Sequence, residues 1–125
     1  MNKNTCVNIS RVRARLTSPE KAVDNVVRHA EVSEKVIERY LVERAKSVGL
    51  LCLKYANANM AGYPDRLLVL PDGKVVWVEL KSRGRKPSKI QQLRHAELEA
   101  IGHTVRVIDC KAGVDELINR ISREI

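Results

Sequence analysis

The chain has 125 residues, which suits one domain with an ordinary hydrophobic core. Its net charge of +8 favours a polyanionic partner such as nucleic acid, although a basic protein that is merely soluble explains charge alone equally well. With one Trp, three Tyr and no Phe, the core must be aliphatic. No apolar run is long enough to span a membrane, so an integral membrane protein is excluded.

The cysteine pattern bears on the compartment and on metal binding. Cys6, Cys52 and Cys110 are odd in number, lie far apart and form no C-x-x-C pair that could begin a zinc site. We therefore expect a reducing, cytoplasmic compartment and no structural zinc.

The first part of the chain is basic and then helical in pattern. Within residues 1–17, three arginines alternate with apolar residues, which indicates either an edge strand or a basic arm. Ser18 and Pro19 suit a helix start, and helical apolar spacing continues until Gly49. Ser33 is a candidate boundary between two helices in this stretch.

Three strands are predicted next. Residues 50–54 form a short apolar run, and 55–64 have the composition of a loop. Residues 66–70 and 74–80 are rich in Val and Leu and flank Pro71-Asp72-Gly73, which marks a hairpin.

The last third predicts helix, strand and helix. Ser88 with Gln91 forms a capping box, and the helix that it opens runs to Gly102. Its apolar positions are Leu93, Ala96, Leu98 and Ile101. Residues 104–108 suit a strand and 114–125 an amphipathic helix. This order predicts a single α/β domain over 1–125, with helices on a mixed sheet and a parallel crossover through the Ser88 helix.

Three charged residues stand out in the hairpin. Asp65 precedes one strand, while Glu79 and Lys81 point to the same side at the end of the next, because side chains alternate along a strand. Carboxylate oxygens hold Mg²⁺ or Mn²⁺, and a lysine beside them stabilises charge or orients a nucleophile during phosphodiester hydrolysis. A plain cross-strand ion pair is the better explanation of Glu79 and Lys81 alone, but the addition of Asp65 favours hydrolysis.

The hairpin loop decides whether Asp65 can join Glu79. A two-residue loop would set Asp65 opposite Leu80, whereas a three-residue loop, 71–73, sets it opposite Glu79. Proline suits the first central position of a type I turn, and Gly73 suits the left-handed residue that closes it. We predict the three-residue loop.

The motifs Gly62-Tyr63-Pro64-Asp65-Arg66 and Val78-Glu79-Leu80-Lys81, followed by Ser88 with Gln91 and by Leu98 to Gly102, resemble the virus-type replication-repair nuclease (VRR-NUC) domain. This domain is a branch of the PD-(D/E)XK nuclease superfamily, and the likeness covers about residues 33–111. It implies an αβββαβ core, here with an additional C-terminal helix, and Mg²⁺- or Mn²⁺-dependent cleavage of DNA. Stand-alone members of this size resemble phage homodimers that cut branched DNA such as four-way junctions, which implies the cytosol of a bacterium or an infected host.

The resemblance also implies residue roles. Asp65, Glu79 and the backbone carbonyl of Leu80 would hold the metal, Lys81 would be the catalytic lysine, and Gln91 would support the site besides capping its helix. A further carboxylate is expected from the first helix, with Glu38 preferred and Glu34, one turn earlier, as the alternative. A surface salt bridge is the competing explanation for both.

A cluster of cations follows the catalytic strand and is expected to bind the DNA backbone, although a solvated charge run is the competing explanation. The expected phosphate-binding residues are Arg83, Arg85, Lys86, Lys89, Arg94 and, from the first strand, Lys54. The three histidines share no metal-binding spacing and receive no role.

Two other functions compete with a structure-selective DNA endonuclease. One is a basic DNA-binding accessory protein with an inactive nuclease site, against which the joint presence of Asp65, Glu79 and Lys81 argues. The other is a sequence-specific restriction-type enzyme, for which 125 residues barely suffice.

Overall fold

The computed structural model describes residues 33–125. Three helices and four strands follow in the predicted order: α1 Glu34–Ser47, β1 Leu51–Lys54, β2 Arg66–Val69, β3 Val75–Leu80, α2 Lys89–Ala100, β4 Thr104–Ile108 and α3 Lys111–Glu124. Ser33 caps α1, and its hydroxyl accepts the Val36 N–H at 3.3 Å. The basic segment 1–17 and the helix start at Ser18 lie outside the described residues.

The four strands form one mixed sheet in the order β1-β2-β3-β4. β1 and β3 each pair antiparallel with β2, while β3 and β4 are parallel, with Val76 beside Thr104 and Leu80 beside Ile108. The parallel pair needs a long connection, which α2 supplies. The predicted crossover is therefore confirmed.

The hydrophobic core lies between the sheet and the helices α1 and α3. It is aliphatic, as the scarcity of aromatic residues predicts, and alternate residues of β3 reach it, namely Val76, Val78 and Leu80. From the helices, fully buried members include Ile37, Leu41, Val114 and Ile118. This core fixes the positions of α1, which carries Glu34 and Glu38, and of β3, which carries Glu79.

The hairpin between β2 and β3 has the predicted three-residue loop. The Gly73 N–H donates to the Leu70 carbonyl at 3.1 Å, and Leu70 in turn donates to Lys74 at 2.9 Å. Gly73 has a φ of +86°, and among residues 33–125 only glycines have a positive φ. A type II turn is therefore excluded, because Asp72 would need a positive φ in such a turn. The register pairs Arg66 with Val78 and so sets Asp65 opposite Glu79.

Helix α2 begins with the predicted capping box. The Ser88 hydroxyl accepts the Gln91 N–H at 3.3 Å, and Gln91 Oε1 accepts the Ser88 N–H at 2.8 Å. Of the four predicted apolar positions only Leu98 is buried, whereas Leu93 and Ile101 are 53% and 76% exposed. The buried residues of α2 are His95 and Leu98, so this helix turns a largely polar face to the sheet.

Of the cysteines in the described part of the chain, Cys52 is a free thiol. Among residues 33–125, no helix has the length and apolar character that a membrane crossing requires.

Candidate active site

The centre of the site is the carboxylate pair Asp65 and Glu79. Asp65 ends the loop before β2, and the Tyr55 N–H donates to its carbonyl at 2.8 Å, which anchors its backbone to β1. Its side-chain Oδ2 lies 3.4 Å from the Leu80 N–H, next to Glu79. The hairpin register thus brings the two carboxylates together at one end of the sheet.

Glu79 is a buried carboxyl group, only 2% exposed. Its Oε2 accepts a hydrogen bond from Gln91 Nε2 at 3.2 Å, while its Oε1 is buried without a hydrogen-bond partner among the described residues. Burial, and then the neighbouring charge of Asp65, raise the pKa of Glu79 to about 8, against a smaller lowering by Lys81. A bound cation would offset both causes and supply the missing partner.

Lys81 directly follows β3 and lies on the same side as Glu79. Its Nζ is 3.7 Å from Glu79 Oε2, and its side chain is only 17% exposed. Its backbone N–H donates to the Ile108 carbonyl at 2.9 Å, which continues the parallel ladder past the end of β3. The ammonium group is therefore held beside the carboxylate pair.

Gln91 makes a hydrogen bond with each end of its side-chain amide. An amide side chain carries an acceptor oxygen and a donor nitrogen. In Gln91 the oxygen caps α2 through Ser88, and the nitrogen donates to Glu79. The start of α2 is thereby tied to the carboxylate pair.

His95 lies beside Glu79, although no role was expected for it from the sequence. It is 8% exposed, and its Nε2 is 3.8 Å from Glu79 Oε1. Burial is the main cause that lowers its pKa. The three histidines share no metal-binding spacing. The sequence signal for His95 is its position four residues after Gln91, which puts both side chains on one helix face.

The two carboxylates of α1 have different surroundings. Glu38 accepts a hydrogen bond from Arg66 Nε at 2.8 Å and lies 3.7 Å from Lys54 Nζ, so it belongs to an ion-pair group. For Glu34, burial and then the charge of Asp65 raise the pKa, whereas Lys81 lowers it. Of the two, Glu34 is the one whose charge is coupled to the carboxylate pair.

The basic residues after β3 fall into two groups. Arg85, Lys86 and Lys89 are exposed, while Arg83 is half-buried. The loop between β3 and α2, which carries all of them except Lys89, has few backbone hydrogen bonds, among them Gly84 N–H to Asp109 Oδ2 at 3.1 Å and Arg85 N–H to the Ser82 carbonyl at 3.0 Å. The exposed charges of Arg85, Lys86 and Lys89 can reach a phosphate backbone.

Arg94 and Lys54 are instead engaged with the protein. Arg94 donates to the Ala61 carbonyl at 3.0 Å, pairs with Glu97 at 3.1 Å and lies 5.2 Å from the centre of the Tyr63 ring. Lys54 is paired with Glu38, although its side chain is 66% exposed. Arg94 thus braces the loop before Asp65 against α2.

The donor set suits a hard divalent cation. Within residues 33–125, no group of three or more His, Cys, Asp or Glu side chains is arranged to hold a metal ion. Two carboxylates and a backbone carbonyl are a sufficient protein contribution for Mg²⁺, which retains waters and takes further oxygens from a phosphate. The buried, unpartnered Glu79 Oε1 fits such an ion.

Comparison with known proteins places the chain in a family. No family model matches it. A phage protein named "Putative nuclease p44", from Acyrthosiphon pisum secondary endosymbiont phage 1, is 41% identical over 78 residues, which is 62% of this chain and 84% of that protein. A solved structure described as a VRR_NUC domain superposes with a TM-score of 0.65 at 32% identity, over 69% of this chain and 94% of that one. The chain therefore belongs to the VRR_NUC domain family and has its PD-(D/E)XK-type mixed α/β fold.

Proposed function

We propose that the protein is a metal-dependent DNA endonuclease that hydrolyses phosphodiester bonds. The observation that carries the proposal is the pairing of Asp65 with the buried Glu79, whose pKa is raised to about 8 and whose Oε1 has no partner among the described residues. A nuclease is also what the family and the name of the phage relative support. The cofactor would be Mg²⁺ or Mn²⁺.

Each site residue then has a role. Asp65, Glu79 and the Leu80 carbonyl would hold the cation, which would supply polarisation of the scissile phosphate and a lowered pKa of bound water. Lys81 stabilises charge on the phosphate or orients the attacking water, and Gln91 holds Glu79 in place. For the helix carboxylate we propose Glu34 in preference to Glu38, because Glu38 is already paired with Arg66.

The phosphate backbone of DNA would lie along the loop after β3. Arg83, Arg85, Lys86 and Lys89 are the proposed contacts, and the net charge of +8 supports association with a polyanion. Arg94 and Lys54 would contribute more weakly, since their cationic groups already have acidic partners.

The proposed substrate is branched or structured DNA such as a four-way junction, cut by a homodimer. A junction offers two symmetry-related strands, which a twofold symmetric enzyme could cut in the same way. The cytosol, where the genome of a phage is replicated, is the proposed location. A count of free thiols in protein isolated under non-reducing conditions tests the location.

A cleavage assay tests the activity. Labelled linear duplex, flap and four-way-junction DNA are incubated with Mg²⁺, with Mn²⁺ and with chelator. We expect cation-dependent cleavage that is fastest on the junction. Cleavage in chelator would contradict the metal site, equal rates on all three substrates would contradict the substrate preference, and binding without cleavage would favour an accessory protein. Light scattering with and without junction DNA tests the dimer; a monomer that cuts junctions would contradict it.

A further inference from the structure

Two buried polar atoms face each other in the site without a hydrogen-bond partner among the described residues. They are Glu79 Oε1 and His95 Nε2, 3.8 Å apart. Buried polar atoms in native proteins almost always have a partner, so a pair that faces each other in a catalytic centre calls for a functional explanation. Their separation is longer than a hydrogen bond by more than half an ångström.

The position of His95 on α2 explains how it can act on Glu79. Gln91 and His95 lie four residues apart and so point from the same face of the helix. Gln91 Nε2 already donates to Glu79 Oε2 at 3.2 Å, and His95 Nε2 is directed to the other oxygen of the same carboxyl group. One helix face thus presents one nitrogen to each oxygen of Glu79.

We propose that His95 is a positioning residue for Glu79: its Nε2–H donates to Oε1 when Glu79 is ionised by a bound cation, so that the carboxylate is held at both oxygens. This inference rests on the proposed function. A carboxylate oxygen has two lone pairs, so Oε1 can accept from His95 and still bind the cation. A neutral imidazole carries one N–H, which can be on Nε2 and so be available for this bond.

The bond would restrict rotation of the Glu79 carboxylate, which is a requirement for tight metal binding. Groups that hydrogen-bond to a metal ligand orient it, and their loss typically weakens metal affinity about 10-fold to about 100-fold. His95 makes this contribution without touching the substrate. Its effect should therefore be visible in cation affinity even when DNA is absent.

The first measurement is Mn²⁺ binding by calorimetry, without DNA, for the wild type, His95→Leu and His95→Gln. We expect the leucine variant to bind Mn²⁺ about 10-fold more weakly, whereas glutamine, which retains an N–H donor, stays close to the wild type. His103→Leu is the matched control, because His103 is exposed and contacts Trp77 rather than Glu79. Thermal unfolding of each variant shows whether the fold is kept.

The second measurement is the histidine tautomer in the wild type, from long-range ¹H–¹⁵N spectra in saturating Mg²⁺. We expect the proton of His95 on Nε2. A proton on Nδ1 alone, or unchanged Mn²⁺ affinity in His95→Leu, overturns the inference. If the leucine variant fails to fold, the tautomer of the wild type alone decides whether the inference holds. If the wild type binds no divalent cation, the proposed function fails instead, so the two failures are distinguishable.

Discussion

The carboxylate centre and the basic loop after β3 differ in how the fold holds them. Asp65 and Glu79 lie at the ends of paired strands, and Glu79 is almost completely buried. The basic loop is a few residues further along the chain, yet Arg85 and Lys86 are exposed and the loop makes few backbone hydrogen bonds. The function of the buried centre therefore depends on exact atomic positions. The charges of the loop instead contribute almost additively, and their effect depends little on precise placement.

The largest effect is expected at the two carboxylates. Asp65→Asn and Glu79→Gln should each reduce cleavage at least about 1,000-fold, because the charge that holds the cation is lost while the packing changes little. Asp72→Asn and Glu43→Gln are matched controls, since both residues are exposed in the described structure. Initial rates under saturating Mg²⁺, with thermal unfolding to monitor the fold, check this; substantial activity in either site variant would contradict the assignment.

A smaller effect separates the two carboxylates of α1. Glu34→Gln should weaken cleavage about 10-fold or more with little change in stability, because its charge is coupled to Asp65 and Lys81. Glu38→Gln should instead lower the free energy of unfolding by about 1 kcal/mol, because Arg66 loses its charged partner. Cleavage rates and denaturant unfolding of both variants check these expectations. If Glu38→Gln lost activity and Glu34→Gln lost stability, Glu38 would be the helix carboxylate instead.

The smallest effects are expected in the basic loop. Arg85→Ala or Lys86→Ala should weaken binding to all DNA sequences alike and reduce the slope of log K against log salt by about one. Arg94→Ala is the informative contrast, since it removes the contact to the Ala61 carbonyl and should lower stability more than it changes the salt slope. Binding isotherms at several salt concentrations measure this slope for each variant. An altered sequence preference with an unchanged slope would show that the residue recognises bases rather than phosphates.

The sequence predicted those parts of the site that depend on local rules. Strand alternation relates Glu79 to Lys81, and the turn chemistry of Pro71 and Gly73 sets the register that brings in Asp65. These relations do not depend on how the rest of the chain packs. The element order and the α2 capping box follow from equally local signals.

Features that depend on tertiary packing could not be predicted in this way. His95 enters the site only because α2 turns its polar face to the sheet and leaves Leu93 and Ile101 exposed. Similarly, Glu34 and Glu38 share one helix face, and the position of Arg66 on β2 is what engages Glu38. No spacing rule shows which face α2 turns to the sheet or which carboxylate Arg66 engages.

The raised pKa of Glu79 also predicts how pH acts on the cation-free protein. The folded carboxyl holds its proton up to a pH of about 8, whereas the unfolded one releases it near the ordinary value of 4.5. Between these values the folded state binds more protons at Glu79 than the unfolded state does. The contribution of this carboxyl group to the free energy of unfolding is therefore greatest at low pH and is lost as pH rises through this window. Thermal unfolding in chelator should show this dependence in the wild type, and Glu79→Gln should reduce it.

The central claim, that Asp65 and Glu79 hold a divalent cation, is tested most directly by Mn²⁺ titration of the wild type and Glu79→Gln from about pH 6 to about pH 9. Because the cation must displace the proton of Glu79, the account predicts that wild-type affinity rises about 10-fold for each pH unit and levels off near the pKa of about 8, with about one proton released for each ion bound. Glu79→Gln should bind much more weakly and without this dependence. Equal affinity of the two proteins, or wild-type binding without proton release below that pH, would contradict the account.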